Sequence, residues 1–286
     1  MIQTNSPTTK RVRRSLHHRL TGAIGMLIIP LLLSGCQTLP TAPVNGSSAG
    51  LTVFTSGGFN AAFDALAISY RRTTGTPITI AHGPSMGDTP NAIPARLARR
   101  EPADVVILAR SGLDKLVTAG AVVPDTVINL GLSRIAVAVR AVCPVPDIAT
   151  PEALRTTLLH AKSVAWSDSA SGVYIQSTLL DRLGIADQVR PKGRMIPATP
   201  VGEIVASGQA EIGFQQLSEL KPVKGIRIVG LLPDALQKVT KFSGGVVAYS
   251  PHQAGARALM SYLSSAQADA AIRASGLEPA SRKAIR

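Results

Sequence analysis

The chain has 286 residues and is short of the residue types that several function classes require. It has two cysteines, Cys36 and Cys143, too few for a thiolate zinc site, an iron–sulfur cluster or a disulfide scaffold. Aromatic residues make up 3 %, which leaves little for stacking nucleic-acid bases, so no nucleic-acid partner is expected. Charged residues are 16 % against 45 % hydrophobic, a balance unlike that of a disordered chain. There is no GxxxxGK[ST] phosphate loop, no GxGxxG after a strand and no GxSxG elbow. The histidines His17, His18, His82, His160 and His252 form no cluster, and no acidic group has metal-ligand spacing. No metal and no cofactor is therefore expected. Glu203, Glu211 and Glu219 have the spacing of solvated positions, and Asp168 reads as a turn or helix-cap residue.

Charge is one-sided: 30 Lys and Arg against 17 Asp and Glu. Five of the basic residues, Lys10, Arg11, Arg13, Arg14 and Arg19, lie in the first 36 residues, which carry no acid. The remainder holds 25 basic against 17 acidic residues, a net +8. A field of that sign favours anionic ligands or surfaces. The basic run precedes an apolar stretch, Ala23 to Leu33, that Pro30 interrupts and that is too short to span a bilayer, which needs about 20 residues. That is the pattern of a secretory signal. It closes on Leu33-Ser34-Gly35-Cys36, which resembles a bacterial lipobox, so residues 1–36 are expected to be a lipoprotein-type signal with lipid on Cys36. Gln37 rather than Asp follows, which implies the outer membrane. Residues 37–49, rich in Pro, Ser, Gly and Thr, read as a flexible tether. Cys143, left without a partner, is expected as a buried small apolar residue.

From Leu51 the chain alternates strands and helices. Strands are expected at 51–54, 77–80, 105–108, 134–140, 163–166, 210–214, 226–229 and 246–249. Phe59, Ala62, Phe63, Leu66, Ala67 and Tyr70 recur at helical spacing, and further helices are expected at 91–100, 112–119, 151–160, 173–183, 201–207 and 253–263. This order predicts an α/β fold with mainly parallel sheets covered by helices.

Three turns between a strand and a helix share a composition: TSGG at 55–58, PSMG at 84–87 and SDSASG at 167–172. A helix start exposes unpaired N–H groups and the positive end of its dipole. Serine hydroxyls add donors, and glycine lets an anion reach the backbone. In open α/β sheets ligands bind at the carboxyl ends of strands, so the three turns are expected to converge on one anion site.

Those stretches, with RREPADVVILA at 99–109, VGEIVASGQAEIGF at 201–214, FSGGVVA at 242–248 and GLEP at 276–279, resemble the bacterial periplasmic solute-binding proteins of the molybdate-binding type. The resemblance covers most of the chain from Leu51 to Pro279. It implies the type II fold: two α/β lobes joined by two crossovers, near 129–141 and 237–245. Lobe I would hold 50–133 and 242–286, and lobe II 134–241. It implies ligand contacts from Ser56, Gly57, Gly58, Ser85, Met86, Ser169, Ser171, Tyr174, Val201 and Gln216. Two departures stand out: Gly58 falls where the family has a ligand serine, and Gln216 where it has a tyrosine. An amide that both donates and accepts suits an organic carboxylate at least as well as a metal oxyanion. The resemblance implies a monomeric periplasmic protein that captures a small anion and passes it to an ABC permease in the inner membrane, the N-terminal lipid being its only hold on the membrane. The same superfamily includes aconitate isomerase, so the alternative is an exported enzyme that moves a proton on a tricarboxylate. Tyr174, His82 and Glu219 are then the candidate bases.

Overall fold

The computed structural model describes residues 50–87 and 89–280. The expected signal, tether and lipidated Cys36 lie outside them. Eleven strands are found: β1 Leu51–Thr55, β2 Ile78–His82, β3 Val105–Ala109, β4 Ile128–Ser133, β5 Ile135–Arg140, β6 Val164–Ser167, β7 Gly193–Ile196, β8 Ile212–Gln216, β9 Ile226–Leu231, β10 Thr240–Val246 and β11 Glu278–Pro279. They form two sheets, ordered β11-β4-β10-β3-β1-β2 and β7-β6-β8-β5-β9. The chain crosses between the sheets twice, from β4 to β5 and from β9 to β10.

Both sheets are mixed rather than mainly parallel. β2, β1 and β3 run parallel, as do β7, β6 and β8. The two strands that arrive from the other sheet run antiparallel to their neighbours: β5 to β8 and β9, and β10 to β3 and β4. The crossing segments are tied together. The Gln237 side chain accepts from the Ile135 N–H at 2.9 Å and donates to the Ile135 carbonyl at 3.0 Å. Arg134 reaches Glu278 at 3.1 Å and Asp234 at 3.3 Å.

Helix Gly57–Thr74 buries the face expected from its spacing, Phe59, Ala62, Phe63, Leu66, Ala67 and Tyr70. They pack on Val53, Val105 and Phe242 of the first sheet and on Leu259 and Met260 of helix Gln253–Leu263. Full burial of each phenylalanine or leucine contributes roughly 1.5–3 kcal/mol, so this stripe is the main anchor of lobe I. Phe54, Val106 and Leu108 point to the opposite face, against Ile93, Leu97, Leu113 and Leu116. In lobe II, Val137, Trp166 and Phe214 pack on Leu154, Leu158, Leu179 and Leu180. Helix Pro151–His160 starts where expected, with Thr150 Oγ1 accepting the Ala153 N–H at 3.1 Å and proline in the first turn.

Three departures have local causes. The strand expected at 246–249 lies earlier, at β10, since its pairing with β3 and β4 and not its own glycine-rich pattern sets its place. β4 was not expected, because Asn129 and Gly131 interrupt its apolar run. Cys143 is not a core residue: it is partly exposed in the segment after β5, its sulfur 3.9 Å from Arg140 Nη2.

Candidate functional site

The strand ends of the two sheets enclose a cleft of about 280 Å3. Lobe I contributes Gly57 and Gly58 after β1, His82 to Ser85 at the end of β2, Ala109 at the end of β3, and Thr240 and Phe242 of β10. Lobe II contributes Ser167 to Ala170 after β6, Ala198 to Pro200 after β7, and Gln215, Gln216 and Glu219 at the end of β8. Parallel strands carry their ligands at the carboxyl end, and the three serine- and glycine-bearing turns all reach this cleft.

Helix Gly57–Thr74 opens against the cleft with two glycines and, one turn on, Asn60. A Cβ on Gly57 would lie 2.0 Å from Glu219 Oε1, and one on Gly58 2.2 Å from the Phe242 ring. Glycine at 58 makes room for the ring, and glycine at 57 lets the carboxylate of the other lobe lie where it does. The serine missing from position 58 is thus explained, since its place is taken by Phe242. Ser218 Oγ donates to the Gly58 carbonyl at 2.7 Å and ties lobe II to lobe I beside the cleft. Ser85 is 5 % exposed, and its Oγ accepts the Ala109 N–H at 3.0 Å, which leaves its proton for an acceptor in the cleft. His82, at the exposed edge, places Nε2 3.1 Å from Asp64 Oδ1.

On lobe II the hydroxyls of Ser167, Ser169 and Ser171 form a triangle, with edges of 2.7, 3.3 and 3.2 Å. Ser167 and Ser169 line the cleft and Ser171 sits behind them, buried. Ala198, in the turn facing them, adopts φ +57°, a strained conformation of the kind that collects at binding sites.

The end of β8 carries a carboxyl with a shifted pKa. Gln215 and Gln216, adjacent and both buried, point to opposite faces of the sheet. Gln215 Oε1 accepts the Val201 N–H at 2.9 Å, which turns its amide nitrogen toward Glu219. Gln216 Nε2 donates to Thr240 Oγ1 at 2.9 Å, while its Oε1 is buried and has no hydrogen-bond partner. Glu219 is the third residue of the short helix Leu217–Leu220, and its carboxylate reaches back to the Gln216 N–H, as in a capping box. On a protein surface that arrangement favours the ionised form. Here burial pushes the carboxyl up from 4.5 to about 7, with a further upward push from Asp168 and against the hydrogen bonds from Gln215 and Gln216. Among the described residues, no lysine or arginine lines the cleft.

The residues expected at the site therefore divide. Gly57, Gly58, Ser85, Ser169, Gln216, His82 and Glu219 line one cleft. Met86 faces a different hollow. Ser56 is buried beneath the helix start, and its Oγ makes no hydrogen bond. Tyr174 turns away: its hydroxyl donates to the Leu236 carbonyl at 2.8 Å, which removes it as a ligand or a base. Val201 is buried, its N–H taken by Gln215. Glu219 is not a fully solvated surface acid: it is partly buried, with Gly57 against its carboxylate. Thr240 and Phe242 are not anticipated by the sequence, because β10 reaches the cleft only through its pairing with β3 and β4.

Residues 51–278 match the model of the family described as bacterial extracellular solute-binding protein, and the chain belongs to that family. Among curated proteins it is 52 % identical over 249 residues to "Aconitate isomerase" of Pseudomonas sp., covering 87 % of this chain and 94 % of that one. Among solved structures it is similar to the periplasmic molybdate-binding protein of Azotobacter vinelandii, with TM-score 0.62, 21 % identity and coverage of 82 % of this chain and 100 % of that one. The sulfate-binding protein SubI of Mycobacterium tuberculosis H37Rv matches with TM-score 0.63, 18 % identity and coverage of 81 % and 87 %. The structural likenesses establish the two-lobed α/β fold.

Proposed function

We propose that the protein is an isomerase that moves a proton between allylic carbons of a tricarboxylate, as the name of its 52 % identical relative indicates for that protein. The observation that carries the reading is Glu219: a carboxyl pushed up to about 7 inside a cleft lined mostly by hydroxyl, amide and main-chain groups, with Asp168 and His82 as its other ionisable residues. A carboxylate of ordinary acidity is a poor base toward carbon, and burial that raises it to the working pH is the usual remedy. The Ser85 hydroxyl, the serine triangle and the main chain at Gly57 and Gly58 hold the substrate carboxylates.

In trans-aconitate the CH2 group lies one carbon from the C=C bond. The Glu219 carboxylate takes a proton from that CH2. The electron pair of the broken C–H bond enters the allylic system and spreads onto the carboxylate oxygens, where hydroxyl and N–H donors meet the growing charge. Protonated Glu219 then returns the proton to the former alkene CH carbon, so the double bond moves by one position and the cis isomer forms. One proton leaves and one returns, and nothing is oxidised. The reaction needs the ionised carboxylate, so kcat/KM should rise with pH and level off above about 7.

Proton NMR of trans-aconitate in D2O with the mature protein tests this. Formation of cis-aconitate, with deuterium entering the allylic positions and loss of both in Glu219→Gln, is the expected result. A cleft that binds trans-aconitate but leaves it unchanged would support the second reading, capture of a small anion for an ABC importer. The hydroxyl, amide and main-chain donors of the cleft, with no lysine or arginine among its described lining residues, favour that reading. Export with a lipid on Cys36 completes the proposal, and metabolic labelling with palmitate, lost in Cys36→Ser, tests it.

A further inference from the structure

Lobe I contains a second hollow, on the far side of the Ser85 loop. It encloses about 660 Å3 against about 280 Å3 for the cleft. It lies between helix Ile93–Ala98 and helix Arg110–Thr118, with an apolar floor of Pro94, Leu97, Leu116 and Ala121. Arg100 and Lys115 are its charged lining residues, both exposed, and no acidic side chain lines it among the described residues.

Arg100 is placed at a conformational cost. It follows the end of helix Ile93–Ala98, where its N–H donates to the Leu97 carbonyl at 2.9 Å and the Glu101 N–H donates to that of Arg96 at 3.1 Å. That pattern puts Arg100 at φ +54°, the left-handed position that glycine normally fills. The side chain lies 4.8 Å over the Tyr249 ring, which the Tyr249 hydroxyl pins by donating to the Glu101 carbonyl at 2.8 Å. The nearby Glu101 carboxylate is occupied by Arg96 at 2.7 Å and Arg99 at 2.6 Å. Neither Arg100 nor Lys115 has an ion-pair partner among the described residues.

We infer that this hollow binds an amphipathic monoanion, its apolar body on the Leu97 and Leu116 floor and its anionic head toward Arg100 and Lys115. A cation held over an aromatic ring at the rim of an apolar cavity is the complement of such a ligand. The site is separate from the cleft and independent of the reaction there. The two share one wall: Ser85 lines both, and its carbonyl packs so closely on Gly112 that a Cβ there would lie 2.7 Å away.

The test is a fluorescence titration of the mature protein with anilinonaphthalene sulfonate. Saturable binding of one dye is expected, displaced by octanoate and not by trans-aconitate. Arg100→Gly removes the guanidinium and relieves the backbone, so it should weaken the dye about tenfold with Tm unchanged or higher. Lys115→Gln, on an exposed helical position, should weaken it several-fold. Displacement of the dye by trans-aconitate, absence of saturation, or unchanged affinity in both variants would each overturn the inference.

Discussion

The raised pKa of Glu219 makes a prediction about stability that needs no assay of turnover. The folded protein holds this proton up to about pH 7, whereas an unfolded chain releases it near 4.5. Between these values the folded state binds more protons than the unfolded one, so stability falls as pH rises. Below 4.5 both states are protonated and the group makes no difference. Above about 7 both are ionised and the loss is complete. At roughly 1.4 kcal/mol per pH decade, the interval from 4.5 to about 7 corresponds to about 3 kcal/mol. Glu219→Gln keeps the shape of the protonated group and removes the titration. It should match the native chain near pH 4 and exceed it by up to about 3 kcal/mol at pH 8, part of which opening of the lobes would relieve. Urea unfolding of both chains at half-unit steps from pH 4 to 8.5 measures the difference directly. A gap that stays constant across that range would show that Gly57 and the β8 end do not bury the carboxylate, and the proposed base would be lost with it.

Other outcomes follow from the same geometry. Asp168→Asn removes a charge that pushes Glu219 upward, so the acid limb of the pH–rate profile should move to lower pH while its shape is kept. Gly57→Ala puts a methyl where Glu219 Oε1 now sits, and since the end of a flexible side chain can yield, the fold should survive with Tm changed by a few degrees. The displaced carboxylate should cost about 100-fold in kcat, the scale of a 1 Å misplacement of a reacting group. Ser85→Ala removes a donor from the cleft and leaves the Ala109 N–H unpaired, so ligand affinity measured by calorimetry should fall by about 1.5–3 kcal/mol.

Much of the scaffold was legible because its signals are local. The stripe from Phe59 to Tyr70 encodes a helix and the face it buries within 12 consecutive residues. The proline start and threonine cap of helix Pro151–His160 act within one turn. Ser85, Ser169 and the Gly57-Gly58 pair were found because strand-to-helix turns in an α/β order converge on one side of a sheet. Tyr174 and Ser56 have equally suitable chemistry but do not line the cleft, because what places each lies elsewhere: the Leu236 carbonyl accepts from the tyrosine hydroxyl, and packing closes over the serine.

The amino-acid order alone determined the α/β alternation, the faces that form the core and the three polar turns, since periodicity and turn chemistry act between near neighbours. Only the tertiary structure decided that Glu219 is an acid poised near neutrality. The cause is the cover provided by Gly57 and the field of Asp168, both brought to it by the meeting of two lobes. Burial and long-range charge depend on what the fold places beside a group, and no spacing along the chain records that.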